Sequence, residues 1–140
     1  MQIILKGALA LLFSISLMHI SYAQTLHVRN LAELSWTYRV LLLNGDALAQ
    51  ETLSTLSAEN EAISTRQIVW FWRENGQLKS NFFGSLSKVS EEQINQQLAA
   101  HSVVLIGKDG ESKYQSNEFV WQPLLLLIDN MPLRRQEMQN

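Results

Sequence analysis

Three clusters of polar residues in this 140-residue chain carry groups that could do chemistry. The first is Asn44, Gly45 and Asp46, directly after the apolar run Val40-Leu41-Leu42-Leu43. In open α/β sheets ligands favour the crevice beyond strand C-termini, so this break could line a binding notch. Its structural alternative is a turn in which Asp46 caps the next helix. The second is Lys108 and Asp109 within Gly-Lys-Asp-Gly, which reads as turn chemistry and solubility at a hairpin tip. The third is Arg134, Arg135 and Glu137 near the C-terminus, which could dock an anion or a partner. Alternatively these Arg residues complement a helix dipole and pair with acidic neighbours. Arg39 opens the first apolar run and could also bind an anion; its structural partner would be Asp129 or Glu137.

Composition excludes several chemistries. There is no cysteine, so thiol catalysis and disulfides are impossible and the fold depends on its apolar core. His27 and His101 are isolated, without the spacing of a metal site or a Ser-His-Asp arrangement. No metal, cofactor or catalytic residue is expected. Trp70 and Trp72 share a strand face and could stack on a sugar, but core packing is the simpler reading.

The elements that must position these groups begin after a targeting segment. Residues 1–23 combine Lys6, an apolar stretch from Gly7 to Ile20, and the exit Ser21-Tyr22-Ala23, the pattern of a cleaved signal peptide. A cut after Ala23 would leave a single domain over residues 24–140, periplasmic or secreted, with no membrane attachment. Removing Lys6 leaves 10 basic residues against 13 acidic, a net charge of −3. No basic block stands out, so nucleic acid is not an expected partner.

Leu31 and Leu34 are expected to pack with Trp36 over the domain edge. Tyr38 to Leu43 and Gln67 to Arg73 are apolar on both faces, as strands covered on both sides should be. Ala47 to Ile63 between them has helical spacing, which predicts a right-handed βαβ unit. Gln77 to Lys88 is either a return strand after Asn75-Gly76 or a loop with Phe82 and Phe83 tucked inward. Ser90 and Gln93 fit a capping box, with Val89 and Ile94 as its staple. Val103 to Ile106, Asp109-Gly110 and Ser112 to Gln115 read as a hairpin. Pro123 suits the first turn of a last helix with Leu124, Leu127, Ile128 and Met131 on one face. Leu125 and Leu126 make that helix apolar almost all round, so a protein partner or a homodimer could use it.

The order is β-α-β-α-β-β-α, an α/β three-layer sandwich of thioredoxin-like arrangement with a mixed four-stranded sheet. The redox version of that arrangement needs a cysteine near Asn44 to Leu48 and a proline near His101-Ser102. Both are missing here.

Three stretches resemble one family, the DUF4174 domain, of unknown function. They are Trp36-Thr37-Tyr38-Arg39-Val40-Leu41-Leu42, Val104-Leu105-Ile106-Gly107-Lys108-Asp109-Gly110, and Ile128-Asp129-Asn130-Met131-Pro132-Leu133-Arg134-Arg135-Gln136-Glu137-Met138. The resemblance implies a thioredoxin-like fold distantly similar to peroxiredoxins, an extracytoplasmic setting and no known reaction. Two positions depart from the family pattern, the Asn44-Gly45-Asp46 turn and Leu126. The functional expectation is a cysteine-free, non-catalytic module that binds a protein or a ligand. The alternative is an enzyme with a non-thiol site near the end of the first strand, gathering Arg39, Asp46 and Arg135.

Overall fold

The apolar runs Val40–Leu43 and Ile68–Trp72 become neighbouring strands inside the sheet because both of their faces need cover. The computed structural model describes residues 25–140; the expected signal segment and its cleavage point lie outside them. Strand β2 (Arg39–Asn44) pairs in parallel with β3 (Ile68–Glu74), with Leu41 opposite Trp70 and Leu43 opposite Trp72. On its other side β2 pairs antiparallel with β6 (Val103–Ile106), which pairs antiparallel with β7 (Ser112–Ser116).

The sheet has five strands rather than the expected four. The extra edge strand is β4 (Gln77–Ser80), which folds back on β3, giving the order β4-β3-β2-β6-β7. Asn75 and Gly76 both have positive φ (50° and 73°), the geometry of a tight primed hairpin turn. Below the end of β4, the Asn81 side chain continues the ladder. Its Oδ1 accepts from the Trp70 N–H at 2.8 Å and its Nδ2 donates to the Ile68 carbonyl at 3.0 Å, closing an edge that would otherwise be open. Phe82 is half-buried, whereas Phe83 is 96 % exposed and is not tucked inward. A second, two-stranded parallel sheet joins β1 (Leu26–Val28) to β5 (Gly84–Leu86).

Strand alternation divides the core. Leu41, Leu43, Trp70, Trp72, Val103 and Leu105 face helices α1 (Gln50–Ala58), α2 (Asn60–Thr65) and α4 (Trp121–Asp129). Val40, Leu42, Val69, Phe71 and Val104 face the 3-10 turn Leu31–Leu34 and helix α3 (Lys88–Gln97). The expected single helix from Ala47 to Ile63 is two helices, interrupted at Glu59. Trp36 does not join Leu34 in the core. It has φ of 68° and stands exposed, while Leu34 is buried.

The start of α3 corrects the expected capping box. The N-cap is Ser87, whose Oγ accepts from the Ser90 N–H at 3.1 Å. Ser90 is buried one turn in and donates its hydroxyl to the Val28 carbonyl at 3.0 Å, tying α3 to β1. Val89 is exposed, so it does not staple against Ile94. Ser87→Ala should therefore cost about 1 kcal/mol through the lost cap. Urea unfolding midpoints would measure it, with Ser54→Ala, on the exposed face of α1, as the comparison.

In α4 the buried residues are Trp121, Leu124, Leu125 and Ile128, whereas Leu126 and Leu127 are exposed. Leu125 thus belongs to the core and not to the expected partner surface. Pro132 occupies the first turn of a further helix, α5 (Pro132–Gln139), where a missing N–H costs nothing.

Candidate functional site

The polar groups converge at the N-terminal ends of β2 and β3, the opposite end of the sheet from the expected notch. Arg39, the first residue of β2, is 1 % exposed. Its Nη1 donates to the Arg66 carbonyl at 2.8 Å and to Glu137 Oε2 at 3.2 Å, and its Nη2 donates to Glu137 Oε1 at 3.3 Å. The bidentate fork suits a planar guanidinium held against a carboxylate. The structural expectation for Arg39 holds with Glu137 as the partner. Asp129 instead takes Arg66, through Nε at 2.9 Å and Nη2 at 2.8 Å, and Arg134 Nε at 3.2 Å.

Lys108 overturns its expected place at a solvated hairpin tip. It is buried, because α5 folds over the hairpin. Its Nζ donates to Glu137 Oε1 at 2.6 Å and to Gln67 Oε1. Asp109 does behave as a turn residue. It accepts from the Glu111 N–H at 3.1 Å and pairs with Lys113 at 2.6 Å. The hairpin closes through Gly110, whose φ of 83° favours glycine. The Lys108 carbonyl in turn accepts from the Trp36 N–H at 2.6 Å.

The closing helix splits its two arginines. Arg134 enters the network, donating to the Thr65 carbonyl at 2.9 Å and lying 3.6 Å from Glu137. Arg135, one residue on and about 100° around the helix, is exposed and has no ion-pair partner among the described residues. Sequence reasoning missed Arg66 and Gln67. The signal was available: Arg39 and Arg66 stand just before two apolar runs that pair in parallel, so both must meet at one end of the sheet. Gln67 has a positive φ of 51° and its carbonyl accepts from the Arg39 N–H at 2.9 Å. Two strained backbones, at Trp36 and Gln67, thus flank the network.

The surroundings of the carboxylates hold them ionised. Burial pushes the Glu137 carboxyl up, but the hydrogen bonds and charges of Lys108 and Arg39 outweigh it and lower the pKa. The hydrogen bond from Arg66 lowers that of Asp129, against burial and with help from Arg134. Lys113 lowers that of Asp109 in the same way. None of these three is poised to exchange a proton near neutral pH, which is what general acid-base work requires.

The notch at the other end of β2 is filled. The Asn44 Oδ1 accepts from the Asp46 N–H at 3.1 Å, and Asp46 Oδ1 accepts from the Asn75 N–H at 2.9 Å. Asp46 therefore ties the β3–β4 turn; it does not cap α1, whose N-cap is Ala49. A Cβ on Gly45 would stand 2.3 Å from the Trp72 indole, so that ring occupies the space a ligand would need. Arg39 and Asp46 flank a six-residue strand, which separates them by about 20 Å. The residues expected for a non-thiol enzyme are not gathered.

All three sequence stretches that carry the family resemblance supply this one network. They contribute Arg39, then Lys108, then Asp129, Arg134 and Glu137. A family model described as a domain of unknown function, DUF4174, matches residues 30–137. The chain belongs to the DUF4174 family. No curated protein and no solved structure matches it. In this DUF4174 domain the described residues hold no group of three or more His, Cys, Asp or Glu able to bind a metal ion. Nor is any described helix long and apolar enough to cross a membrane.

Proposed function

We propose that this DUF4174 domain is an exported, non-catalytic binding module built on a thioredoxin-like fold. The single observation that carries the reading is the state of the two ends of β2. Trp72 fills the end where a thioredoxin-like enzyme would place its nucleophile, and the ionisable groups gather at the other end as ion pairs. Asp129 and Glu137, held ionised by the cations beside them, do not serve as proton shuttles near neutral pH. The fold assignment is supported by the order β3-β2-β6-β7, in which β2–β3 is the one parallel pairing and β6 runs against the other three strands.

A panel of hydroperoxide, disulfide, ester and phosphoester substrates should give no turnover above the uncatalysed blank. Turnover that disappears in Asp46→Asn or Arg135→Gln would revive the enzyme reading. Export should appear as a first residue of Gln24 when the protein is recovered from the cell envelope and its intact mass is taken; a retained Met1 would contradict it.

A protein partner or a second copy would meet the outer face of α4. That surface is Leu126 with Leu127, because Leu125 is buried. Crosslinking in an envelope fraction should capture a partner that Leu126→Asp loses. If the partner is a second copy, sedimentation should show a dimer at micromolar concentration and a monomer in the variant.

A further inference from the structure

We propose that the pocket between the Gly107–Gly110 hairpin and the start of α5 binds a small monocarboxylate with a short apolar chain. The inference rests on the reading of the protein as a binding module and gives that module a ligand class. The pocket measures about 240 Å³ and is lined by Arg39, Lys108, Lys113, Met131, Pro132 and Leu133.

Two independent features point to an anion. The first is the N-terminus of α5. Its N-cap, Met131, provides no side-chain acceptor, and no acidic residue stands in the first turn. The Leu133 and Arg134 N–H groups are therefore left without intrahelical acceptors, and Pro132 has none to offer. Such an end attracts negative charge. The second is Arg39, which lines the same pocket. It is almost wholly buried, yet its Nε N–H lacks a hydrogen-bond partner. A buried donor without an acceptor is uncommon and is costly in an otherwise satisfied structure. Lys108 adds a third donor, since its ammonium has three hydrogens and two acceptors among the described residues.

Local charge agrees with this. Arg39, Arg66, Lys108, Lys113 and Arg134 stand against four carboxylates, Asp109, Glu111, Asp129 and Glu137, an excess of one positive charge. Lys113 at the rim is shared by Asp109 and Glu111.

The remaining walls set the rest of the ligand. Met131, Pro132 and Leu133 give an apolar side, which suits a short hydrocarbon chain. Asp109 also lines the pocket and would repel a dianion more than a monoanion. That favours a carboxylate over inorganic phosphate.

The test is a titration of the full mature chain with sodium butyrate at fixed ionic strength, followed by backbone amide NMR. The expected result is saturable shifts confined to Lys108, Asp109, Leu133 and Arg134, with a Kd of about 1 mM. Inorganic phosphate should bind more weakly. Leu133→Asp places a resident carboxylate in the first turn, where the helix dipole favours it, and should weaken butyrate at least about tenfold without unfolding the chain. Linear, unsaturating shifts, shifts mapping elsewhere, unchanged affinity in a folded Leu133→Asp, or tighter phosphate binding would each overturn the assignment. Failure here leaves partner capture through Leu126 intact, whereas turnover in the substrate panel would sink the module reading itself.

Discussion

Glu137→Ala is expected to destabilise the fold by about 3 kcal/mol, at the lower end of the cost of breaking a buried ion pair. The carboxylate serves two cations at once, Arg39 at 1 % exposure and Lys108 at 9 %. Removing it strands both charges in a region that water reaches poorly, and the uncompensated charge dominates the loss. Glu137 itself is partly exposed, so solvent moderates the effect and the lower figure is appropriate. The total stability of a domain this size is about 5–15 kcal/mol, so the variant should unfold at markedly lower denaturant. Arg135→Ala, two residues away and exposed, should change stability by less than about 0.5 kcal/mol. Urea unfolding of both variants checks the contrast; equal effects would mean that α5 is not held through Glu137.

The same network sets the acid response. Asp109, Asp129 and Glu137 have folded pKa values below their ordinary values of 3.8, 3.8 and 4.5. A depressed carboxylate stabilises the fold fully above its unfolded pKa. That contribution is lost as pH falls through the folded value. Stability from these groups should therefore be flat from pH 6 to 8 and decline below about pH 4.5. Glu137→Ala should show a shallower decline than the parent.

Trp72→Ala should cost about 3–5 kcal/mol, the range for truncating a fully buried large aromatic. Trp72 has no exposed surface, and its Nε1 donates to Glu74 Oε2 at 3.0 Å. The cavity would open beneath Gly45, at the end of β2 where a ligand notch was expected. Two outcomes follow from one change: a lower unfolding midpoint, and new access for small apolar probes at that end of the sheet. Gly45→Ala acts on the same contact from the other side. Its Cβ would meet the indole at 2.3 Å, and overpacking of this kind costs about 1–3 kcal/mol. In the Trp72→Ala background the Gly45→Ala penalty should shrink, because the two share one space. Simple additivity would show that the ring does not close the notch.

The central strands were legible because Val40 to Leu43 and Ile68 to Trp72 have no polar face, which only a doubly covered strand tolerates. The family stretches were legible as well, and they turned out to be the network. What escaped notice depends on long-range contacts. Ser87 and Ser90 are both plausible caps locally; the choice is made by the Val28 carbonyl, 62 residues away, which takes the Ser90 hydroxyl. Lys108 looks solvated inside its hairpin and is buried only when Glu137, 29 residues on, folds over it. Strands β1 and β5 have three residues each, too few for alternation to register. The break at Glu59 carries neither glycine nor proline, so nothing local announced it.

Arg39 and the closing helix are expected to act as one unit through Glu137. A double-mutant cycle with Arg39→Met and Glu137→Met, read by urea unfolding, tests this most directly. The predicted result is a coupling of about 2 kcal/mol, with the double variant more stable than the two single losses would give. Coupling below about 0.5 kcal/mol, the level of independent sites, would contradict it.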